Sequence, residues 1–172
     1  MLFDDEGNES GNLKKTKYGD IMVKYKKVML IDDDEDDKLL FTEAVKVASP
    51  ASEMICFDNA EAGIKFLTAL NTLLPDIIFL DLNMPRLKGK EFLQKIRSLS
   101  FLNHIPVIIY TTSDVYKDKT DSLKYGANGF LTKPRNFHSL FEKLFVFQKF
   151  IGNSLIIQIF GVNFDRRDFF VI

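Results

Sequence analysis

Five short apolar runs, each followed by an amphipathic stretch of helical length, constrain this 172-residue chain more than any other feature. The runs lie near 27–31, 53–57, 76–80, 106–110 and 129–132. The helical stretches lie near 36–48, 60–71, 88–99, 114–125 and 136–149. Strands that alternate with helices build βα units, and unbroken apolar strands belong to parallel sheets covered on both faces. The expected fold is therefore α/β, a five-stranded parallel sheet between two helical layers. Phe137, Leu140, Phe141, Leu144 and Phe145 recur at three- and four-residue steps, which predicts an apolar stripe on the last helix. The stretch 114–125 offers mainly Val115, Leu123 and Tyr125, so it is expected to be the least firmly packed helix.

The strand ends carry the chemistry. Val28-Met29-Leu30-Ile31 ends in Asp32 and Asp33, Ile77-Ile78-Phe79-Leu80 in Asp81, Val107-Ile108-Ile109-Tyr110 in Thr111, and Phe130-Leu131-Thr132 in Lys133-Pro134. Right-handed crossovers bring all strand C-termini to one edge of the sheet, where open α/β folds bind ligands. Carboxylates gathered in such a crevice repel one another unless a cation sits between them. An all-oxygen ligand set favours Mg²⁺, with Mn²⁺ expected to substitute. The remaining acids of the run, Asp34, Glu35, Asp36 and Asp37, read as solvated, helix-capping residues.

The order and spacing of these residues, from about Lys26 to Gln148, resemble the receiver domain of two-component response regulators. The resemblance implies a doubly wound, flavodoxin- or CheY-like sheet of strand order 2-1-3-4-5. It implies that Asp81 accepts a phosphoryl group from a histidine kinase or histidine phosphotransfer protein. Asp33 and Asp81 would ligate Mg²⁺ directly with the backbone carbonyl of Asn83, and Asp32 would act through water. Lys133 would contact a phosphoryl oxygen, and the Lys133-Pro134 peptide would be cis. Thr111 resembles the family's switch hydroxyl, although Thr112 follows it directly. Phe130 holds the switch aromatic position, where many relatives carry Tyr, and would turn from exposed to buried. Asn83 and Ser113 lie where the family adjusts dephosphorylation. Output would be altered docking of a downstream protein on the 4-5 face, and the chain would be no enzyme beyond its own phosphorylation and dephosphorylation. Two alternatives remain: a receiver-like scaffold that is not phosphorylated, and a haloacid-dehalogenase-like phosphatase built on Asp32 and Asp34. The latter lacks the Gly-Thr that should follow and leaves Asp81 without a role.

The rest of the chain sets the context. A formal net charge of -1 gives no field for attracting DNA. The lysines at 14, 15, 17, 24, 26 and 27 lie largely in a segment, 1–24, whose composition predicts a flexible tail. The domain is expected over 25–149, followed by an Ile- and Phe-rich extension, 150–172, that packs on the domain or on a second subunit and contributes to a homodimer. With so little chain after the last helix, a stand-alone receiver is expected. The N-terminus has no signal-peptide pattern, and the uncharged run 150–164 falls short of the roughly 20 residues of a membrane span. A cytoplasmic protein follows, and Cys56, the lone cysteine, reads as a small core residue. His104 and His138 read as surface residues, and Gly126 as a helix C-cap.

Overall fold

The computed structural model describes residues 27–85, 89–113, 116–152 and 170–171, with side chains through Leu144. The tail expected over 1–24 lies outside the described residues, as does 153–169 of the C-terminal extension. Strands β1 (Lys27–Ile31), β2 (Glu53–Phe57), β3 (Ile77–Leu80), β4 (Val107–Thr111), β5 (Gly129–Thr132) and β6 (Phe170–Val171) form one sheet. Its order is β2-β1-β3-β4-β5-β6, and every neighbouring pair is parallel. The expected 2-1-3-4-5 order is therefore present, with a sixth strand added on the outer side of β5. Phe170 stands opposite Gly129 and Val171 opposite Phe130, so the described end of the extension lies on the domain's own sheet.

Helices α1 (Glu35–Ala48), α2 (Ala60–Thr68), α3 (Gly89–Arg97), α4 (Tyr116–Lys124) and α5 (Phe137–Gly152) follow β1 to β5 in turn. Side chains alternate across the sheet and divide the core in two. Leu30, Phe79, Ile108, Tyr110 and Leu131 meet Phe41 and Val45 of α1 and Leu140 and Leu144 of α5. On the other face Met29, Ile31, Ile78, Leu80 and Ile109 meet Leu67 of α2 and Phe92, Leu93 and Ile96 of α3. The weakly apolar α4 buries Ser122 alone among its own residues, in keeping with its composition.

Three sequence expectations need correction. Helix α2 ends at Thr68 rather than near 71: the Thr68 hydroxyl donates back to the Ile64 carbonyl at 2.8 Å, and Asn71 adopts a left-handed φ of 60°. Such a backbone cannot continue a helix, and it leaves Leu70 exposed. Cys56 is not a core residue but is exposed on β2, 3.8 Å from the Thr42 hydroxyl. Its apolar run gave no alternation to read, yet β2 is an edge strand, with no further strand beside it among the described residues. No peptide bond is cis among the described residues, so the Lys133-Pro134 bond is trans.

The helix C-cap read at Gly126 is present, with φ 94°, the Gly126 N–H donating to the Leu123 carbonyl and the Ala127 N–H to that of Ser122, each at 3.0 Å. A Cβ there would also stand 2.8 Å from Cγ of Arg97. Arg97 cannot easily retreat, because its guanidinium donates to the Gly126 carbonyl (2.9 Å), the Asn128 Oδ1 (2.9 Å) and the Ile105 carbonyl (3.2 Å). Gly126→Ala is expected to cost roughly 1–2 kcal/mol in urea denaturation. An unchanged midpoint would mean that this turn tolerates a side chain.

Candidate functional site

The sheet ladder fixes the strand ends before any side chain acts. The Asp81 N–H donates to the Ile31 carbonyl at 3.0 Å, the Asp32 N–H to that of Phe57 at 2.9 Å, and the Lys133 N–H to that of Thr111 at 2.8 Å. Residues far apart in sequence thus share one edge, as the crossover rule requires. At the start of α3 a Cβ on Gly89 would lie 2.7 Å from Cδ2 of Leu82 and 3.1 Å from the Asp81 carbonyl oxygen. Glycine therefore lets the helix begin close against the Asp81 backbone.

Lys133 is the centre of the charge arrangement. Its Nζ lies 2.7 Å from Asp32 Oδ2, 2.7 Å from Asp37 Oδ2 and 3.0 Å from Asp81 Oδ2, with the lysine side chain 5 % exposed. Burial lowers the affinity of Lys133 for its proton, but the carboxylates outweigh it and hold the ammonium charged well beyond its ordinary range. Asp32 is fully buried, and burial pushes its carboxyl up to about 6 against the pull of Lys133. Tyr110 lies beneath, its ring centroid 5.4 Å from Nζ, and its buried hydroxyl has no hydrogen-bond partner among the described residues. Burial, and next the Asp37 charge, keep that phenol protonated.

Asp81 turns its other oxygen the opposite way, accepting from the Asn83 N–H at 3.1 Å. The Asn83 amide Nδ2 donates to the hydroxyls of Thr111 (3.0 Å) and Thr112 (3.1 Å). Thr111 is buried and Thr112 exposed, so one side chain spans from the end of β3 to both candidate hydroxyls, at the last residue of β4 and just after it. One oxygen from each of Asp32, Asp33 and Asp81 lies within 4.8 Å of the others, and Asp33 is open to solvent. Three hard oxygen donors at this spacing fit Mg²⁺ or Mn²⁺. Phe130, expected to start exposed and turn inward, is already buried here, 1 % exposed, with the Lys119 ammonium 5.5 Å from its ring centroid.

The acid run does not behave uniformly. Asp34 caps α1, its side chain accepting from the N–H groups of Asp36 and Asp37, so it is not available as the acid of a phosphatase pair. Asp37 was expected to be solvated, yet it reaches Lys133. It lies four residues before the buried Phe41, on the stripe that continues through Ala44, Val45 and Ala48, and that spacing is the signal that would have placed it. Lys38 is buried as well, pairing with Glu35 at 2.7 Å and with Asp58, and so ties α1 to the end of β2. His104 and His138 are exposed as expected, His138 facing Glu142 at 3.3 Å.

Residues 28–145 match the family model described as the response regulator receiver domain. The chain belongs to that family. The receiver domain is 34% identical over 121 residues to response regulator Rcp1 of Synechocystis sp., a match covering 68% of this chain and 82% of that protein. It is 32% identical over 117 residues to the nitrate/nitrite response regulator NarL of Escherichia coli, where it spans 52% of the longer protein. Among solved structures, the Mn²⁺-bound form of Rcp1 superposes with a TM-score of 0.67 at 31% identity, over 76% of this chain and 96% of that one. The phosphorylated cyanobacterial phytochrome response regulator RcpA gives the same TM-score at 30% identity, over 73% of this chain and 93% of that one. The chain is thus a receiver domain of two-component signalling, a family that works with histidine kinases or phosphotransfer proteins. No helix of the described residues is long and apolar enough to cross a membrane.

Proposed function

We propose that the domain accepts a phosphoryl group on Asp81 from a phosphohistidine and signals by altered docking on the face formed by α4, β5 and α5. The observation that carries this reading is the Asp81 carboxylate, placed at a strand end with one oxygen on Lys133 and an oxygen cluster with Asp32 and Asp33. A carboxylate oxygen attacks phosphorus, the P–N bond breaks, and the imidazole leaves with the bonding pair and takes a proton, giving an acyl phosphate. Asp32, Asp33, Asp81 and the Asn83 carbonyl are the residues that would hold Mg²⁺ or Mn²⁺, which when bound offsets charge on the phosphoryl oxygens. That RcpA was solved phosphorylated and Rcp1 with Mn²⁺ supports both parts by likeness.

Lys133 already contacts Asp81 and supplies a fixed positive charge to a phosphoryl oxygen. Thr111 would exchange the Asn83 amide for that oxygen, drawing the β4–α4 loop inward. Phe130, one strand over, follows by packing, having no hydroxyl to add a hydrogen bond. The lightly anchored α4 is the element best able to shift in response. The setting is the cytoplasm, and the domain turns over no separate substrate.

Intact mass after incubation with acetyl phosphate is the test. One phosphoryl adduct is expected with Mg²⁺, none with chelator, and none on Asp81→Asn. An adduct that survives in Asp81→Asn, or sustained hydrolysis of a generic phosphomonoester, would overturn the reading.

A further inference from the structure

We infer that Asp37 is a positioning residue of this site: it competes with the phosphoryl group for Lys133, and so sets how readily Asp81 is modified and how long the modification lasts. The inference rests on the reading of Asp81 proposed above. An ammonium has three N–H donors. In this structure Nζ donates to Asp37 at 2.7 Å and to Asp81 at 3.0 Å, and Asp32 Oδ2 stands 2.7 Å away as a third carboxylate in ion-pair contact. A phosphoryl oxygen therefore competes with these carboxylates for the ammonium.

Of Asp32 and Asp37, the two that keep their charge when Asp81 becomes an acyl phosphate, burial decides which one yields. The Asp32 side chain is 0 % exposed and would be left unpaired inside the protein, which is costly, whereas that of Asp37 is 32 % exposed and can return to water. Asp37 is nonetheless held in place. Its N–H donates to the Asp34 cap at 3.0 Å, and Phe41 anchors the next turn of the same stripe. It does not share in the oxygen cluster of Asp32, Asp33 and Asp81. Its carboxylate therefore acts on the ammonium, restraining Lys133 until the phosphoryl charge outcompetes it.

The test compares Asp37→Asn, which keeps the shape and the cap while removing the charge, with Asp36→Asn, which removes an equal charge from an exposed neighbour on the same turn. Rates are read by intact mass with acetyl phosphate and Mg²⁺, followed by adduct decay after donor removal. Asp37→Asn is expected to label about threefold to tenfold faster and decay correspondingly slower, the scale of one partly exposed charge-assisted contact. Loss of packing alone would not give a gain of this kind, and Asp37→Ser serves as a second variant if the first folds poorly. Labelling at or below the wild-type rate, or an equal gain in Asp36→Asn, overturns the inference. A wild-type protein that takes no adduct refutes the proposed function itself, and this inference falls with it.

Discussion

Lys133→Met should lower the free energy of unfolding by about 3–5 kcal/mol at neutral pH in the presence of chelator, because it strips the cation from a buried ion cluster. Asp32 and Asp81 have side chains 0 % and 6 % exposed, and neither has another cation within ion-pair distance among the described residues. Methionine keeps most of the volume of the stem, so cavity formation contributes little and the loss reports charge. The pH dependence identifies the cause. Burial already pushes the Asp32 carboxyl up to about 6 from the 3.8 of an unburied aspartate, and removing Lys133 pushes it further. A carboxyl whose folded value exceeds its unfolded value gains stability as pH falls through the folded value, until the unfolded chain also takes up a proton near 3.8. The deficit of Lys133→Met should therefore be larger at pH 8 than at pH 5, and a saturating divalent cation should recover part of it. A loss below about 1 kcal/mol that does not vary with pH would mean the cluster is solvated, with the energetics of a surface pair.

What the sequence reveals and what it hides divide along a physical line. Asp32, Asp33, Asp81, Thr111 and Lys133 were readable because they stand at or just past the ends of apolar runs, and parallel topology sends all such positions to one edge. The capping role of Asp34 was readable from its place just before a helical stretch, whereas the five-strand order came from the family resemblance, since periodicity cannot give it. Asp37 was hidden inside a run of acids whose net composition says solvent, and its helical phase with Phe41 was the discriminating clue. Arg97 was hidden because its partners are backbone carbonyls and an amide, which no side-chain pattern announces. Cys56 misled because an unbroken apolar run does not distinguish an edge strand from a central one. The β5–β6 pairing was beyond reach, since two residues carry no period.

Phe41→Ala should match the loss at Lys133 in size, about 3–5 kcal/mol, by a different mechanism. The ring is fully buried, 4.8 Å between centroids from Phe79 and 4.9 Å from Tyr110, both tilted well away from parallel. Phe79 lies two residues before Asp81, and Tyr110 immediately precedes Thr111, so this aromatic trio forms the floor beneath the acidic edge. Truncation leaves a cavity that the rigid strands cannot close, and the deficit should be indifferent to pH between 5 and 8 and to divalent cations. Phe41→Leu, which refills much of the volume, should recover most of the stability. Because Asp37 stands one turn before Phe41 on the same helix face, the cavity also loosens the support of Asp37, whose own substitution is expected to be nearly silent in stability. The two residues therefore separate in experiment: Phe41 governs whether the domain holds together, and Asp37 governs how Lys133 is shared once it does. A Phe41→Ala loss that varied with pH as the Lys133 loss does would mean that the trio supports stability mainly through the charges above it.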